Sequence, residues 1–216
     1  MLCVSLGETT SEEIQKVAKI APFVEVRLDL NSFSKDQIEN IFRLSNNLIA
    51  TFRAGENHSI PVKILSSAVN SGACYIDVEY DTDPDDLKEI VRIAKKEKCK
   101  MIISYHNYLE TPSLDFLREL KGNIFKSGAD ISKTACMVNS KKDIISILSL
   151  YEGQEDTIAI GMGIEGVVTR VSGYFLDSPL TYTSFNGKAT ADGQIDFFKM
   201  KKIIEILKES GKDFIV

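Results

Sequence analysis

Two residues with the chemistry of imine catalysis lie in segments that otherwise predict buried β-strands. Lys133 stands in the middle of Ile131–Cys136, and His106 ends Met101–His106. A lysine amine among apolar walls and other cations has a lowered pKa, and its neutral form can add to a ketone or aldehyde to give a Schiff base. An imidazole, with an ordinary pKa of about 6.5, is a natural proton shuttle beside such an amine. The alternative for Lys133 is a side chain that reaches past the strand to solvent.

Other charged side chains recur in the predicted strands, where an isolated buried charge is costly. Glu25 and Arg27 are two residues apart and therefore share one face of a strand, as do Asp77 and Glu79. Arg53 ends a further predicted strand. Each pair taken alone could be an internal salt bridge. Polar groups contributed by several strands to one place instead predict a ligand site.

The elements that must position these residues recur at a regular spacing. Eight predicted strands cover Leu2–Leu6, Phe23–Leu28, Leu48–Arg53, Tyr75–Tyr80, Met101–His106, Ile131–Cys136, Thr157–Met162 and Thr181–Phe185. Helical periodicity lies between them at Ser11–Ile20, Ser34–Leu44, Pro84–Lys98, Lys141–Leu150 and Phe197–Glu209, and more weakly near Ser113–Lys121 and Gly166–Gly173.

This alternation predicts a single (β/α)8 TIM barrel of eight parallel strands with surrounding helices, occupying residues 1–216 as one catalytic domain. In such a barrel the carboxyl ends of the strands converge at one mouth, where active sites lie. A doubly wound open sheet is the alternative, but it normally uses about five or six strands, each buried on both faces.

Composition excludes several classes of protein. The 216 residues are 44% hydrophobic and 26% charged, as in soluble globular proteins, and the net charge of −5 argues against a nucleic-acid partner. No apolar run approaches the roughly 20 residues of a membrane-spanning helix. The first residues lack the features of a secretion signal, so we expect a cytoplasmic location. Four widely spaced cysteines and two histidines predict neither a disulfide framework nor a metal site, and we expect the cysteines to be buried.

The segment Gly161–Gly166 matches the pattern Gly-x-Gly-x-x-Gly of dinucleotide-binding folds. That pattern belongs after the first strand of a βαβ unit, whereas this copy follows the seventh predicted strand, so we reject a dinucleotide site. A glycine turn that contacts an anion at the barrel mouth is the remaining interpretation.

Blocks in every part of the chain resemble type I 3-dehydroquinate dehydratases in order and spacing. They are Cys3–Leu6, Glu25–Asp29, Thr51–Arg53, Ile76–Glu79, Ser104–Asn107, Asp130–Lys133, Gly166–Arg170 and Ala191–Gln194. The resemblance implies a lyase of the shikimate pathway of aromatic amino-acid biosynthesis that removes water from 3-dehydroquinate. It implies no metal and no organic cofactor, and a homodimer, as relatives in this family often form. The charge and the short apolar runs described above argue against a nucleic-acid or membrane partner.

The resemblance also implies roles for individual residues. Lys133 resembles the imine-forming lysine and His106 the general acid and base, with Glu56, or failing it Asp77, as the carboxylate that orients the imidazole. Glu79 and Met162 are supporting positions. The positions that match substrate contacts are Ser5, Glu25, Arg27, Arg53, Arg170, Thr190 and Gln194. Among these, Arg170 is the expected partner of the substrate carboxylate, since a guanidinium can bind it through two hydrogen bonds.

Two other functions stay open from the residues alone. A class I aldolase also forms an imine in a barrel and needs a proton shuttle, although the arginines beside a glutamate favour a hydroxylated carboxylate over a sugar phosphate. A non-catalytic barrel that binds an anionic metabolite is the second alternative. We also expect the loop Thr183–Gly193 to close over the substrate and bring Thr190 and Gln194 to it.

Overall fold

A computed structural model describes residues 1–55 and 58–212, in which strands and helices alternate. The strands are β1 (Leu2–Leu6), β2 (Phe23–Arg27), β3 (Leu48–Thr51), β4 (Tyr75–Glu79), β5 (Lys100–Asn107), β6 (Ile131–Met137), β7 (Thr157–Met162) and β8 (Thr181–Thr183). The helices are α1 (Ser11–Ala18), α2 (Lys35–Arg43), α3 (Val62–Asn70), α4 (Pro84–Lys96), α5 (Leu114–Lys126), α6 (Lys141–Leu148), α7 (Val167–Phe175) and α8 (Phe197–Lys212). Within these described residues, none of the helices combines the length and the apolar character that crossing a bilayer requires.

The strands form one parallel sheet that nearly closes into a barrel. From β1 to β7 each strand pairs with the next one in the chain, and β8 returns to pair with β1. The resulting order is β7-β6-β5-β4-β3-β2-β1-β8, with the helices on the outside. The predicted (β/α)8 barrel is confirmed. The open doubly wound sheet is wrong, because such a sheet does not bring its last strand back to its first.

Local signals explain where helices α2 and α4 begin. The Asp83 carboxylate accepts a hydrogen bond from the amide of Asp85 at 3.0 Å, and Pro84 occupies the first turn of α4. Ser34 and Gln37 form a reciprocal capping box at the start of α2. These contacts satisfy amides that the first turn of a helix leaves without a partner.

Helix α3 and the end of β3 differ from the predictions. Helix α3 had no predicted counterpart, because Pro61 precedes it without any side-chain cap and its sequence carries little of the charged face that marks an amphipathic helix. Strand β3 ends at Thr51, so Arg53 lies on the segment that follows the strand. Arg53 therefore reaches the barrel interior from beyond the last ladder hydrogen bond.

Apolar residues fill both sides of the sheet, because successive side chains of a strand point to opposite faces. Outward-facing residues of the strands pack beneath the helices in the larger cluster of the core. Inside the barrel a second cluster forms the floor, with members that include Cys3, Ile49, Tyr75, Ile102, Ile131 and Ile158. This floor lies toward the amino ends of the strands, so the space for polar chemistry is at their carboxyl ends.

The cysteines are free, and their burial differs slightly from the prediction. Cys3, Cys99 and Cys136 are buried, as expected, whereas Cys74 is only half-buried. The Sγ atom of Cys74 lies 3.0 Å from the carbonyl oxygen of Leu48, at the end of the barrel where β3 begins. Cys74 directly precedes β4, where the chain still runs near the surface.

Candidate active site

Polar side chains occupy the inward positions above the apolar floor. Strands β2, β4 and β5 each supply two such residues, spaced two apart as the alternation of a strand requires. Parallel register then sets their heights: Asp77 pairs with Ile102, and Ser104 pairs with Lys133. The inward-facing polar residues of the strands are Ser5, Glu25, Arg27, Thr51, Asp77, Glu79, Ser104, His106 and Lys133.

The amine of Lys133 is enclosed within the barrel. Lys133 is 5% exposed, so the alternative of a side chain that extends into solvent is wrong. Its Nζ lies 2.8 Å from Oδ2 of Asp77 and 3.7 Å from Oε1 of Glu25. It also lies 4.0 Å from the centre of the Tyr182 ring. The expected apolar wall is present in the Tyr182 ring, but the charged groups nearest to the amine are two carboxylates and not the other cations that were predicted.

Asp77 is the centre of the charged cluster. Arg53 donates two hydrogen bonds to its carboxylate, from Nη1 to Oδ1 at 2.8 Å and from Nη2 to Oδ2 at 3.0 Å. The Ser104 hydroxyl also donates to Oδ1, at 2.7 Å. Burial by itself would raise the pKa of Asp77, but the charges of Arg53 and Lys133 outweigh burial and hold that pKa well below its usual range. Asp77 is thus a fixed anion that anchors the lysine amine.

Glu25 links the lysine to the first and third strands. Its carboxylate accepts hydrogen bonds from the hydroxyls of Ser5 and Thr51, the second at 2.9 Å. Burial opposes its charge, yet Lys133 and Arg53 prevail and lower the pKa of Glu25. A second carboxylate therefore stays ionised close to Nζ.

His106 stands nearer the mouth, between an acid and an aromatic ring. Its Nδ1 atom is 3.2 Å from Oε1 of Glu79, although among the described residues it makes no well-aligned hydrogen bond. The Tyr108 ring stacks on the imidazole with centroids 6.0 Å apart and planes at 13°. Burial, assisted by the charge of Arg53 and opposed by Glu79, lowers the pKa of His106 to about 4. The imidazole is therefore neutral near pH 7 and able to accept a proton.

The carboxylate beside the imidazole is Glu79, which the resemblance assigned only a supporting position. The assignment of Asp77 as the orienting group is wrong for the free protein, because Asp77 is engaged by Arg53 and Lys133. The strand register explains this difference. Glu79 pairs with Ser104, the inward position next to His106 on β5, whereas Asp77 pairs with Ile102, which is one inward position farther from His106. Glu56, the first choice, lies outside the described residues.

The lowered pKa of His106 predicts a measurable titration. Because the unfolded chain has the ordinary histidine pKa of about 6.5, it binds more protons than the folded protein between about pH 6.5 and 4, so acid in this window removes stability. We expect the His106 Cε1 proton in NMR spectra to titrate with a midpoint near pH 4, with His58→Ala assigning the two histidine signals. A midpoint near 6.5 would contradict the burial argument.

The loop after β8 brings further predicted residues to the site. The hydroxyls of Ser5 and Thr190 are 2.7 Å apart, and Gln194 donates from Nε2 to the Thr190 hydroxyl at 3.0 Å. The Thr190 amide donates to Oε1 of Gln194 at 2.8 Å. This network ties the loop Thr183–Gly193 to β1, with Thr190 already at the edge of the site. Closure of the loop over a substrate stays a prediction.

Two of the three arginines expected to contact the substrate, Arg27 and Arg170, differ in their partners. Arg27 is already engaged, because Nε and Nη2 donate to the carboxylate of Asp29 at 2.9 and 2.6 Å. Arg170, on α7, is 4% exposed and donates from Nη2 to the carbonyl oxygen of Asp192 at 3.1 Å. Within the described part of the chain Arg170 has no carboxylate partner, and its Nε is buried without a hydrogen bond. Burial lowers the pKa of Arg170 to about 10. It is therefore a buried cation prepared for an anion.

The glycine motif lets α7, which carries Arg170, approach β7 closely. The amides of Gly161 and Gly166 in this motif are not available to a ligand. A Cβ on Gly166 would lie 2.4 Å from the carbonyl carbon of Gly161, so β7 and α7 approach too closely for a side chain. The Gly161 amide donates to the Thr169 hydroxyl at 2.8 Å, and the Gly166 amide donates to the Gly163 carbonyl at 3.2 Å. These two amides are thus unavailable for the anion contact that the sequence suggested.

An open cavity at the mouth of the barrel collects most of the predicted residues. The predicted residues that line it are Glu25, Arg27, Arg53, His106, Lys133, Met162, Arg170, Thr190 and Gln194. Ser5, Asp77 and Glu79 lie behind its wall and contact lining residues. Over residues 1–55 and 58–212, no group of three or more His, Cys, Asp and Glu side chains is arranged to bind a metal.

Two aromatic residues that line the cavity, Tyr108 and Tyr182, had not been predicted as site residues. Tyr108 follows His106 by two positions, so strand alternation could have placed both on one face. Tyr182 is on β8, paired in register with Cys3 of the inner floor. Both were overlooked because tyrosines in a strand segment are far more often ordinary packing residues.

Comparisons with known proteins give one consistent result. The family model for type I 3-dehydroquinase matches residues 2–211. A 3-dehydroquinate dehydratase from Methanococcus vannielii is 34% identical over 223 residues, which cover 96% of this chain and 100% of the relative.

Solved structures agree with the barrel. The 3-dehydroquinate dehydratase from Aquifex aeolicus aligns with a TM-score of 0.81 at 26% identity, covering 95% of this chain and 98% of that one. The type I enzyme from Clostridium difficile, solved with covalently modified comenic acid, has a TM-score of 0.81 at 22% identity and covers 97% and 92% of the two chains. At that lower identity the second comparison supports the fold alone.

The family match thus spans nearly the whole chain, and the curated relative aligns with it from end to end. The eight sequence blocks noted above had indicated the same group. This chain belongs to the type I 3-dehydroquinase family.

Proposed function

We propose that this chain dehydrates 3-dehydroquinate to 3-dehydroshikimate, in the shikimate pathway of aromatic amino-acid biosynthesis, through a Schiff base at Lys133. The observation that carries the proposal is one cavity lined by a buried amine, a neutral imidazole and a buried arginine without a carboxylate partner among the described residues. Membership in the family supports the same reaction. No metal or organic cofactor enters the proposed steps.

Imine formation is the first chemical stage. The Lys133 nitrogen must lose a proton to free its lone pair, and the neutral imidazole of His106 is a lining group that can accept it. The lone pair forms a bond to the ketone carbon, and the carbonyl π pair moves to oxygen and takes up a proton. The proton held by His106 and one from the added nitrogen convert that oxygen to water, and its loss leaves a cationic iminium and a neutral imidazole.

Elimination follows because the iminium withdraws electrons from the adjacent carbon. His106 removes a proton there, and the released pair moves toward the nitrogen to give an enamine. The pair then returns to form the ring double bond as the β-hydroxyl departs with a proton from His106. The same imidazole acts first as base and then as acid, and Glu79 beside Nδ1 stabilises its charged form. Water finally hydrolyses the product iminium and restores Lys133.

The other lining groups hold the ring so that these steps are intramolecular in effect. Arg170 binds the substrate carboxylate, which supplies the anionic partner that its buried charge lacks within residues 1–55 and 58–212. Glu25, Thr190 and Gln194 offer acceptors and donors for the ring hydroxyls. Substrate orientation therefore depends on one charge pair and several further hydrogen bonds.

The proposal is tested by product formation and by covalent trapping. Purified protein with 3-dehydroquinate and a chelator should generate the absorbance of a conjugated enone. Borohydride added during turnover should reduce the imine, and peptide mass analysis should place the added mass on the peptide that contains Lys133. No conjugated product, or a label on another peptide, would refute the mechanism.

The two alternative functions give different outcomes in the same assay. A class I aldolase would release an aldehyde from a hydroxylated keto substrate and give no enone. A barrel that only binds an anionic metabolite would show binding across a substrate panel without turnover. A panel of keto acids and sugar phosphates, with aldehyde and enone detection, therefore separates the three.

Because Arg170 has no carboxylate partner in the described part of the chain, we make a separate prediction for it. Arg170→Gln should raise KM for 3-dehydroquinate by about 10²-fold or more, because the substrate carboxylate loses a charge-assisted pair of hydrogen bonds. The variant should not lower the free energy of unfolding of the free protein, since it removes a buried charge that no carboxylate of the described residues offsets. Steady-state kinetics and urea unfolding measure the two effects. An unchanged KM would remove Arg170 from the substrate site.

Three coarser expectations accompany the proposal: a single domain over residues 1–216, a homodimer and a cytoplasmic location. The free state of the four cysteines fits a reducing compartment. Analytical ultracentrifugation at assay concentration would test the dimer, and limited proteolysis would test the single domain.

A further inference from the structure

The aromatic face of Tyr182 is placed against the amine that forms the imine. Nζ of Lys133 lies 4.0 Å from the centre of the Tyr182 ring, within the range of a cation–π contact. Tyr182 is 3% exposed and belongs to the apolar cluster inside the barrel, with Ile158 and Ile160. Burial strengthens such a contact, because neither the ring nor the cation is covered by water.

The ring attracts the charged nitrogen in a different way from the two carboxylates. Asp77 and Glu25 attract the ammonium of the free protein, and Asp77 does so through a hydrogen bond of 2.8 Å. An ammonium has three N–H donors, whereas an iminium at the same nitrogen has one. The iminium can therefore donate to one of the two carboxylates at most, while an aromatic face attracts its charge without any donor.

We propose that Tyr182 is a further catalytic residue, whose ring face stabilises the positive charge of the iminium at Lys133. The proposal rests on the proposed function, since it requires the covalent intermediate. The ring shifts the equilibrium toward the covalent adduct, and it keeps a cation at the nitrogen after substrate carbon has replaced two of its protons.

The Tyr182 hydroxyl can be separated from the ring. Among the described residues the hydroxyl is buried without a hydrogen-bond partner. Burial and the charge of Glu25 raise the pKa of Tyr182 well above its ordinary value, so the phenol stays neutral. If the ring face carries the effect, Tyr182→Phe should form the adduct within about threefold of the wild type, whereas Tyr182→Leu should lose about 2- to 30-fold in the equilibrium constant for adduct formation.

A fluorination series tests the electrostatic origin at nearly constant shape. Phenylalanine, 4-fluoro-, 3,5-difluoro- and 3,4,5-trifluorophenylalanine are introduced at position 182, because each fluorine weakens the negative potential of the ring face. Each protein is equilibrated with a mixture of 3-dehydroquinate and 3-dehydroshikimate and quenched with borohydride, and mass spectrometry measures the adduct fraction. We expect this fraction to fall stepwise with fluorine number at subsaturating ligand.

Two controls separate the electrostatic effect of the ring face from an effect of packing. The same series at Tyr75, a tyrosine of the barrel floor that packs edge-on against Phe23 with centroids 5.6 Å apart, should leave the adduct fraction unchanged. Binding of quinate, which lacks the ketone and cannot form an imine, should be equal across the series at 182. A ring that only shapes the cavity would alter quinate binding as well.

The outcomes distinguish this inference from the proposed function. Absence of any adduct in the wild type would refute the Schiff-base function itself. An adduct in the wild type together with a flat series at 182 would overturn the role of the ring and leave the function intact. Loss of the adduct in Tyr182→Phe would also overturn it, because the hydroxyl would then carry the effect.

Discussion

Lys133→Ala should lower the turnover of 3-dehydroquinate by about 10⁴-fold or more, because the variant loses the covalent bond that makes the substrate an electron sink. Asp77 keeps both hydrogen bonds from Arg53 in this variant, so its charge stays paired and the barrel should fold. Enone absorbance measures turnover, and borohydride trapping should find no adduct.

The matched control is Lys121, another buried lysine of the described residues. Its Nζ donates to the carbonyl oxygens of Leu150 and Glu152 at 3.0 and 3.3 Å, away from the cavity. Lys121→Ala should lower stability, because two carbonyl groups lose their donor, but it should keep the adduct and turnover within about threefold of the wild type. Full dehydratase activity in Lys133→Ala would overturn the imine mechanism.

His106→Ala should separate the two chemical stages. We expect turnover to fall by about 10² to 10⁴-fold, since the variant lacks the general acid and base, while an imine still forms slowly at Lys133. Borohydride should therefore trap an adduct whose mass is that of the undehydrated substrate. Rapid quench at increasing times, followed by mass analysis, measures both the rate of adduct formation and its composition.

The second histidine provides the control for this variant. His58 is exposed and lies 3.2 Å from Asp81, outside the cavity. His58→Ala should leave turnover within about twofold of the wild type, as is usual for a surface substitution. If His106→Ala retained the full rate, water or a carboxylate would have to carry the proton, and Glu79 would be the first group to test.

The order of strands and the nature of the reactive groups could be predicted from the sequence. The predicted strands coincide with the observed ones to within two residues at each end. The reason is physical: alternation in a strand, helical periodicity and the length of a strand–helix unit are local properties of the chain. Lys133 and His106 were found because a charged or titratable side chain in an apolar strand has few structural explanations.

Local signals were also insufficient in two places. Helix α3 carries no side-chain cap and little charge, so its sequence differs little from a loop that packs on the core. Arg53 lies beyond the end of β3, yet its guanidinium returns to Asp77 inside the barrel. A long side chain can reach a partner that the strand boundary alone does not indicate.

Only the tertiary structure decided which charges are partners. From the sequence, Asp77 and Glu79 were equivalent acids on one strand face, and either could have faced His106 or Lys133. The register between β4, β5 and β6 resolves them, giving Asp77 to the lysine and Glu79 to the imidazole. Register joins residues far apart in the chain, so no local pattern contains it.

The sequence by itself therefore determined the barrel, the reactive amine and the imidazole, because each depends on residue type and local spacing. The tertiary structure decided that Lys133 is held by carboxylates and an aromatic ring, and that Arg170 is a buried cation without a carboxylate partner among the described residues. Electrostatic energies depend on distance and burial in three dimensions. Those quantities arise only when strands distant in the chain close around a common space.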